Sequence, residues 1–248
     1  MEQFFTRYYN GNPFILFGAS HLVALGAIAA LNIWLIKFGK HFSGEQRKVF
    51  RNTLATTLLI NEGLWHLWNL TTGQWSLQTM LPLQLCSVFV FLSAIMLYTG
   101  SKTIYDFAYF LGIGGALQAL LTPDAGIYGF PHFRYFQVFI SHGGIVTAAI
   151  FMTAVEGFRP TWRTLMKVII GGNLYMLLVG GINLLLDSNY LMICHKPYTP
   201  SVLDLLPAWP WYLIHIEVIG VITFILLYLP FAISDWRRLA TQKPPAVA

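Results

Sequence analysis

Ionisable and polar side chains recur inside the apolar runs of this chain, and any chemistry it performs must lie with them. The recurring set is Glu62, His66, Cys86, His142, Asn183, Asp187 and His215. Carboxylates and imidazoles can transfer protons, and a thiol can act as a nucleophile. Inside a membrane, an ionisable group costs at least a few kcal/mol and usually marks a functional site.

Sequence spacing restricts this chemistry. Glu62, His66 and Asn69 follow an i, i+4, i+7 spacing, which places them on one face of a helix. Zinc needs three or four ligands, but the chain has no HxxxH, HExxH or CxxC pair. A zinc site would have to combine ligands from separate segments, and the candidate ligands are Glu62, His66, His142 and His215. We therefore expect no metal and no other cofactor.

Structural interpretations of the same residues remain open at this point. A buried Cys86 can be an inert small apolar residue. Glu62 and His66 can form an internal ion pair, and His142, beside Gly143 and Gly144, can simply bond to a neighbouring helix.

The composition indicates a membrane protein. Of 248 residues, 56% are hydrophobic and 10% are charged, whereas soluble domains carry about 25% charged residues. The net charge is +5, but the basic residues fall in short clusters between apolar runs. This pattern excludes disordered, fibrous and nucleic-acid-binding proteins.

The elements that must position the polar residues are membrane-spanning helices. A spanning helix needs about 20 mostly apolar residues. Seven segments meet this requirement, at residues 13–37, 53–72, 79–98, 103–122, 132–154, 164–187 and 209–233. We predict an all-α, multi-pass, seven-helix bundle that forms a single domain over residues 1–248.

The basic residues predict the orientation of this bundle. Twelve of the fifteen Lys and Arg residues fall at one end, and only Arg7, Arg134 and Lys196 fall at the other. Cytoplasmic loops carry the excess of basic residues, so we expect the N-terminus outside and the C-terminus in the cytoplasm. All seven polar residues then lie in the outer half, which predicts one polar cavity that opens toward the outer leaflet.

Several segments resemble the YwaF family of bacterial integral membrane proteins. They are LPLQLC (81–86), FPHFRYFQVFISH (130–142), GGNLYMLL (171–178), KPYTPSVLDLLPAWPWY (196–212) and LLYLPF (226–231). That family is distantly similar to a vertebrate seven-span acyltransferase that moves polyunsaturated acyl chains between phospholipids through a cysteine. The resemblance implies a bacterial plasma-membrane enzyme with phospholipid and lysophospholipid as partners and no nucleic acid.

The resemblance also implies roles for individual residues. Cys86 matches the nucleophile and His142 its base, so that a thioester forms and is then resolved by a lysophospholipid hydroxyl or water. Asp187 or Glu62 would orient the histidine. The other supporting residues would be His66, Asn183 and His215. Residues expected to grip the lipid headgroup are His132, Arg134 and Lys196.

Two other function classes fit the sequence. A proton-coupled transporter or carrier would use Glu62, His66, Asp187 and His215 as its binding site, although no inverted repeat supports it. A non-catalytic assembly subunit would use the same polar residues only to fix helix register.

Overall fold

The computed structural model describes residues 3–197 and 202–241. This part of the chain contains seven α-helices and no β-strand, which confirms the all-helical prediction. The helices are α1 (Ala19–Phe38), α2 (Gly44–Thr71), α3 (Leu85–Thr99), α4 (Lys102–Leu121), α5 (Phe133–Ala154), α6 (Trp162–Leu186) and α7 (Trp211–Thr241). Residues 1–2, 198–201 and 242–248 of the predicted domain lie outside the described residues.

Among the described helices, five are long and apolar enough to cross a membrane: α1, α4, α5, α6 and α7. Helix α2 is long, but its first two turns carry Glu45, Arg47, Lys48 and Arg51. Helix α3 is apolar, but its 15 residues extend only about 22 Å, less than the roughly 30 Å of a hydrocarbon core. These apolar helices are those of an integral membrane protein.

The helix within the predicted span 79–98 begins only at Leu85. Pro82 has no N–H to donate, and it disfavours a helical conformation at Leu81. Gln84 is the N-cap and has extended backbone angles. The segment before Cys86 is therefore irregular, although its composition is that of a spanning helix.

Helix α5 is the centre of the bundle, because most of its residues are buried and it packs against α1, α2, α3 and α4. Glycines allow this close packing. A Cβ added at Gly143 would lie 2.8 Å from Ile28 of α1, and one added at Gly144 would lie 2.7 Å from Leu58 of α2. Small residues let helix backbones approach in the same way in other membrane proteins. Helices α6 and α7 are peripheral and expose leucines and isoleucines.

The two ends of the bundle differ in their contacts. At one end, the N-terminal segment packs against α2 and α5, where Trp68 donates to the Phe5 carbonyl at 2.7 Å and Phe133 N–H to the Phe4 carbonyl at 2.9 Å. At the other end, ion pairs join α2 and α7 to the loop after α5 and join α6 to α4, and a further pair lies within α4. These pairs are Arg47–Glu156, Arg51–Glu156, Arg159–Asp235, Lys102–Asp106 and Lys167–Asp106. The clustered basic residues are thus partly neutralised by acidic partners.

Candidate functional site

A cavity of about 640 Å³ lies between the helices. It is bordered by residues from all of the helices except α1 and by the loops that precede α3 and follow α6. Its chemistry-bearing side chains are Glu62, Gln84, Cys86, Ser87, Asp124, Arg134, Gln137, Ser141, His142, Asn173 and Glu217. The cavity therefore brings together four residues that the sequence singles out, Glu62, Cys86, Arg134 and His142.

Cys86 is the second residue of α3 and lies in its first turn. The predicted span 79–98 would have placed Cys86 well inside a helix, so the observed position differs from the prediction. Beside the thiol, α4 has a glycine, and a Cβ added at Gly115 would lie 3.8 Å from the Cys86 sulfur. The absence of a side chain at Gly115 leaves room beside the sulfur for a reacting group.

The irregular segment before Cys86 is held by side chains from the neighbouring loop and helix. The Tyr190 hydroxyl donates to the Leu77 carbonyl at 2.7 Å and accepts from the Leu81 N–H at 2.9 Å. The Tyr175 hydroxyl of α6 donates to the Leu83 carbonyl at 2.8 Å. Burial raises the pKa of Tyr190, so its hydroxyl keeps the proton that it donates. These bonds replace the helical bonds that the segment lacks.

His142 lies on α5, and its ring orientation is fixed by its own helix. Its Nδ1 atom is 2.7 Å from the Val138 carbonyl oxygen. A carbonyl can only accept a hydrogen bond, so Nδ1 carries the hydrogen, and Nε2 of the neutral ring is left with a free lone pair. This is the tautomer that a general base requires.

Cys86 and His142 both line the cavity, and no hydrogen bond joins them in the described part of the chain. Catalytic hydrogen bonds are often long without substrate and shorten when it binds.

Glu62 is a buried carboxylate on the cavity wall, with only 3% of its surface exposed. Its Oε1 atom lies 3.7 Å from Nε2 of His66 and has no hydrogen-bond partner within the described residues. His66 is outside the cavity lining and accepts from the Trp75 indole at 3.1 Å. A buried acceptor without a donor costs free energy, so Glu62 Oε1 is suited to a ligand that brings its own donor.

Arg134 carries the positive charge of the cavity. Its guanidinium lies 4.0 Å from the centre of the Trp65 ring, an arrangement that gives a cation–π interaction. It donates to the Gln137 side chain and, at 3.1 Å, to the Asp124 carbonyl. The guanidinium has five N–H donors, so these contacts orient it and leave donors for a ligand.

The other two predicted headgroup residues do not line the cavity. His132 caps α5 by accepting from the Arg134 N–H at 3.0 Å, and its Nε2 donates to the Thr6 carbonyl at 3.0 Å. Burial lowers the pKa of His132, which favours a neutral ring over a phosphate-binding cation. Lys196 donates to the Leu206 carbonyl at 2.7 Å. Both residues anchor loops.

Three predicted supporting residues also lie away from the cavity lining. Asn183 donates to the Tyr190 carbonyl at 2.9 Å and accepts from the Ser188 hydroxyl, so it shapes the turn after α6. Asp187 ends α6 in a left-handed conformation with φ 50°. His215 is exposed on α7 and bonds to the Trp211 carbonyl of the same helix. The predicted single cavity thus holds fewer of these residues than expected.

One polar pair of the cavity was not predicted. Asn173 of α6 donates to the Glu217 carboxylate of α7 at 2.8 Å. The sequence shows that each of these residues is polar within an apolar run. It cannot show that the two residues face each other. In residues 3–197 and 202–241, no group of three or more His, Cys, Asp or Glu side chains is arranged to hold a metal ion.

These features define a class: a multi-pass helical membrane protein with a polar cavity that contains a cysteine and a histidine. The chain belongs to the TMEM164 family, whose sequence profile matches residues 16–228. The matched region includes α1 to α6 and the part of α7 that borders the cavity. No curated protein and no solved structure matches the chain significantly. Membership of the bacterial YwaF group stays a prediction.

Proposed function

We propose that this protein is a membrane-embedded acyltransferase that moves acyl chains between phospholipids through a thioester on Cys86. The observation that carries the proposal is the cavity shared by Cys86 and His142, in which the free Nε2 of His142 is available as a base. The resemblance to a cysteine-dependent phospholipid acyltransferase supports the same reaction.

The proposed first half-reaction forms the thioester. Nε2 of His142 takes the proton of the Cys86 thiol, and the thiolate attacks the carbonyl carbon of a phospholipid ester. A sulfur–carbon bond forms, and the ester carbon–oxygen bond breaks. His142 returns the proton to the leaving alkoxide, which departs as the hydroxyl of a lysophospholipid.

The second half-reaction reverses these steps with a new acceptor. His142 removes the proton of a lysophospholipid hydroxyl, whose oxygen attacks the thioester carbon and releases the Cys86 thiolate. The thiolate takes the proton back from His142. If water enters instead, the same steps hydrolyse the lipid. The choice between transfer and hydrolysis therefore depends on which hydroxyl reaches the thioester.

The cavity lining supports a phospholipid as the substrate. Arg134 supplies a cation suited to a phosphate. Apolar side chains from α4, α6 and α7 border the same cavity and could accommodate an acyl chain; they include Leu111, Val168, Ile169 and Phe224. Of the two carboxylates expected to orient the histidine, Glu62 lies in this cavity and is the better candidate for a supporting role.

We propose the membrane arrangement from the sequence. All seven helices would span, with the N-terminus outside, the C-terminus in the cytoplasm, and the reaction in the outer leaflet of a bacterial plasma membrane. The short α3 is compatible with a span because the irregular residues before it are held inside the protein and partly line the cavity.

A proton-coupled carrier is the second candidate, favoured by the buried carboxylate of Glu62 and by Glu217 on the cavity wall. Reconstituted liposomes separate the candidates. With a phospholipid labelled in its acyl chain and an unlabelled lysophospholipid, an acyltransferase labels the acceptor, and Cys86→Ala abolishes this. A carrier would move solute with Cys86→Ala but fail with Glu62→Gln. An assembly subunit would show neither activity in any variant, which would contradict the proposal.

A further inference from the structure

We propose that the side-chain amide of Gln84 and the backbone N–H of Cys86 form an oxyanion hole for the acyl-transfer reaction. The inference rests on the proposed function and adds a further catalytic residue to it. In both half-reactions the carbonyl oxygen gains negative charge as a bond to its carbon forms. Donors already in place at that oxygen lower the barrier, and one such donor is worth about 10²–10³-fold in rate.

The orientation of the Gln84 amide follows from its partner. The Leu191 N–H lies 3.0 Å from the end of the Gln84 side chain, and a backbone N–H can only donate. The atom that it meets must therefore be the amide oxygen, Oε1. The other end of the amide is the NH₂ group, which has two hydrogens to donate. Gln84 lines the cavity, and no acceptor for this NH₂ group lies within the described residues.

The loop that presents the Leu191 N–H has an uncommon backbone. Leu191 and Met192 adopt left-handed conformations with φ of 60° and 53°, although neither is glycine. Left-handed angles at such residues are strained and persist where the surroundings hold them. Here the Tyr212 hydroxyl donates to the Met192 carbonyl, and the backbone N–H of Tyr190, the residue before Leu191, donates to the Asn183 side chain at 2.8 Å. The amide of Gln84 is therefore held by a fixed structure.

The second donor belongs to Cys86 itself. The first helical bond of this turn runs from the Val88 N–H to the Gln84 carbonyl at 3.0 Å. The N–H groups before Val88, including that of Cys86, have no carbonyl partner within the helix. The Gln84 side chain does not cap them, because its oxygen is bonded to Leu191. A donor on the nucleophile's own backbone is close to any carbonyl that the sulfur attacks.

Glu62 provides independent support for a ligand in this cavity. It is 3% exposed, it lines the same cavity, and its Oε1 has no hydrogen-bond donor in the described part of the chain. An ester carbonyl needs donors, which Gln84 and Cys86 offer, and a donor group elsewhere on the lipid needs an acceptor, which Glu62 offers. The cavity thus presents both donors and an acceptor to a lipid ligand.

The oxyanion forms and collapses in this reaction without being protonated. When the sulfur–carbon bond forms, the carbonyl π electrons move to oxygen, and the Gln84 and Cys86 donors stabilise that charge. When the carbon–oxygen bond to the leaving group breaks, the electrons return and the carbonyl re-forms. The donors keep their hydrogens throughout, and His142 alone carries the proton between sulfur and the alkoxide.

Gln84→Glu tests the inference, because it keeps an oxygen for the Leu191 N–H and removes the NH₂ donor. Purified protein is acylated with p-nitrophenyl butyrate and, separately, alkylated with iodoacetamide, and both reactions at Cys86 are followed by mass spectrometry. Acylation passes through an oxyanion, whereas alkylation does not. Gln78→Glu, the same substitution at an exposed position of the same segment that does not line the cavity, is the matched control.

We expect Gln84→Glu to slow acylation at least about 100-fold, with alkylation within about twofold of wild type. Gln78→Glu should react as wild type in both reactions. Equal acylation of Gln84→Glu and wild type would overturn the oxyanion role and leave acyl transfer standing. An equal slowing of both reactions would also overturn it, because Gln84 would then only maintain Cys86 reactivity. If wild type is alkylated but never acylated, both the oxyanion hole and the proposed function are wrong.

Discussion

The side-chain oxygen of Gln84 accepts a hydrogen bond from the backbone N–H of Leu191 at 3.0 Å. This bond joins the residue that precedes α3 to the loop that follows α6. Cys86 lies two residues further along the chain, in the first turn of α3. The position of the candidate nucleophile is therefore fixed by a segment more than a hundred residues away in sequence.

His142 and His215 form a matched pair. Each lies within hydrogen-bond distance of the carbonyl four residues earlier through Nδ1, but only His142 lines the cavity. We expect His142→Gln to lower acyl transfer by about 10²–10⁴-fold, since it removes a general base. His215→Gln should keep wild-type activity. Transfer rates in liposomes check both, and equal loss in the two variants would argue against a specific role for His142.

Glu62 and Asp187 are the two carboxylates that the sequence offers to support the site, and variants of the two should behave differently. Glu62 lines the cavity, whereas Asp187 ends α6 in a left-handed conformation that asparagine also adopts readily. We expect Glu62→Gln to raise KM for the lysophospholipid acceptor roughly 10-fold or more, the value of one hydrogen bond to a charged group. The rate of Cys86 acylation should hardly change.

Asp187→Asn should behave as wild type in both steps. Steady-state kinetics with varied acceptor, combined with single-turnover acylation, measure the two effects separately. A Glu62 variant that is slow in acylation, with KM unchanged, would contradict the assignment of Glu62 to the acceptor.

Tyr190 and Tyr175 anchor the segment before Cys86. Tyr190→Phe removes two hydrogen bonds, to Leu77 and Leu81, and leaves the half-buried Leu81 N–H without this partner. The expected cost is about 1–3 kcal/mol of unfolding free energy. Tyr175→Phe removes one bond, to Leu83, and should cost less. Thermal unfolding in detergent compares the variants, and the reverse order of stability would show that the segment is held in another way.

Gly115 keeps the space beside the thiol open. A Cβ there would lie 3.1 Å from Leu85 and 3.8 Å from the Cys86 sulfur, whereas a Cβ at Gly181 of α6 would meet nothing within 4 Å. Gly115→Ala should slow the reaction of Cys86 with N-ethylmaleimide and with acyl esters by about 10–100-fold, the scale of a small misplacement at a reacting atom. Gly181→Ala should react as wild type. Wild-type reactivity in Gly115→Ala would mean that substrate approaches the sulfur from another side.

The helices could largely be predicted because helices of a membrane protein are long and apolar, and such runs are visible in the sequence. The start of α3 could not be predicted from hydropathy. Residues 77–84 are not helical, and they are held instead by hydrogen bonds to Tyr190, Tyr175 and Leu191. These are tertiary contacts between distant segments, and hydropathy does not record them. Leu81 and Leu83 are as apolar as helix residues, so the segment has the composition of a span.

The site was predictable only in part, since sequence gives membrane depth but not the direction in which a side chain faces. The predicted membrane depth grouped His215 with Cys86. In the structure His215 is exposed and does not line the cavity, whereas Glu217, two residues later, does. In the same way, Asn183 and Asp187 lie at the expected end of α6 and serve its terminal turn. Gln84 had no signal, because its role depends on the Leu191 N–H.

The most direct test of the account is mass spectrometry of protein purified from membranes and incubated with a phospholipid whose acyl chain is labelled. The account predicts a labelled acyl adduct on Cys86 that hydroxylamine removes, as expected for a thioester, and that is absent in Cys86→Ala. Truncation of one small side chain costs at most a few kcal/mol, so the variant should remain folded. A wild-type protein that transfers acyl chains without labelling Cys86, or a Cys86→Ala variant that still transfers them, would contradict the central claim.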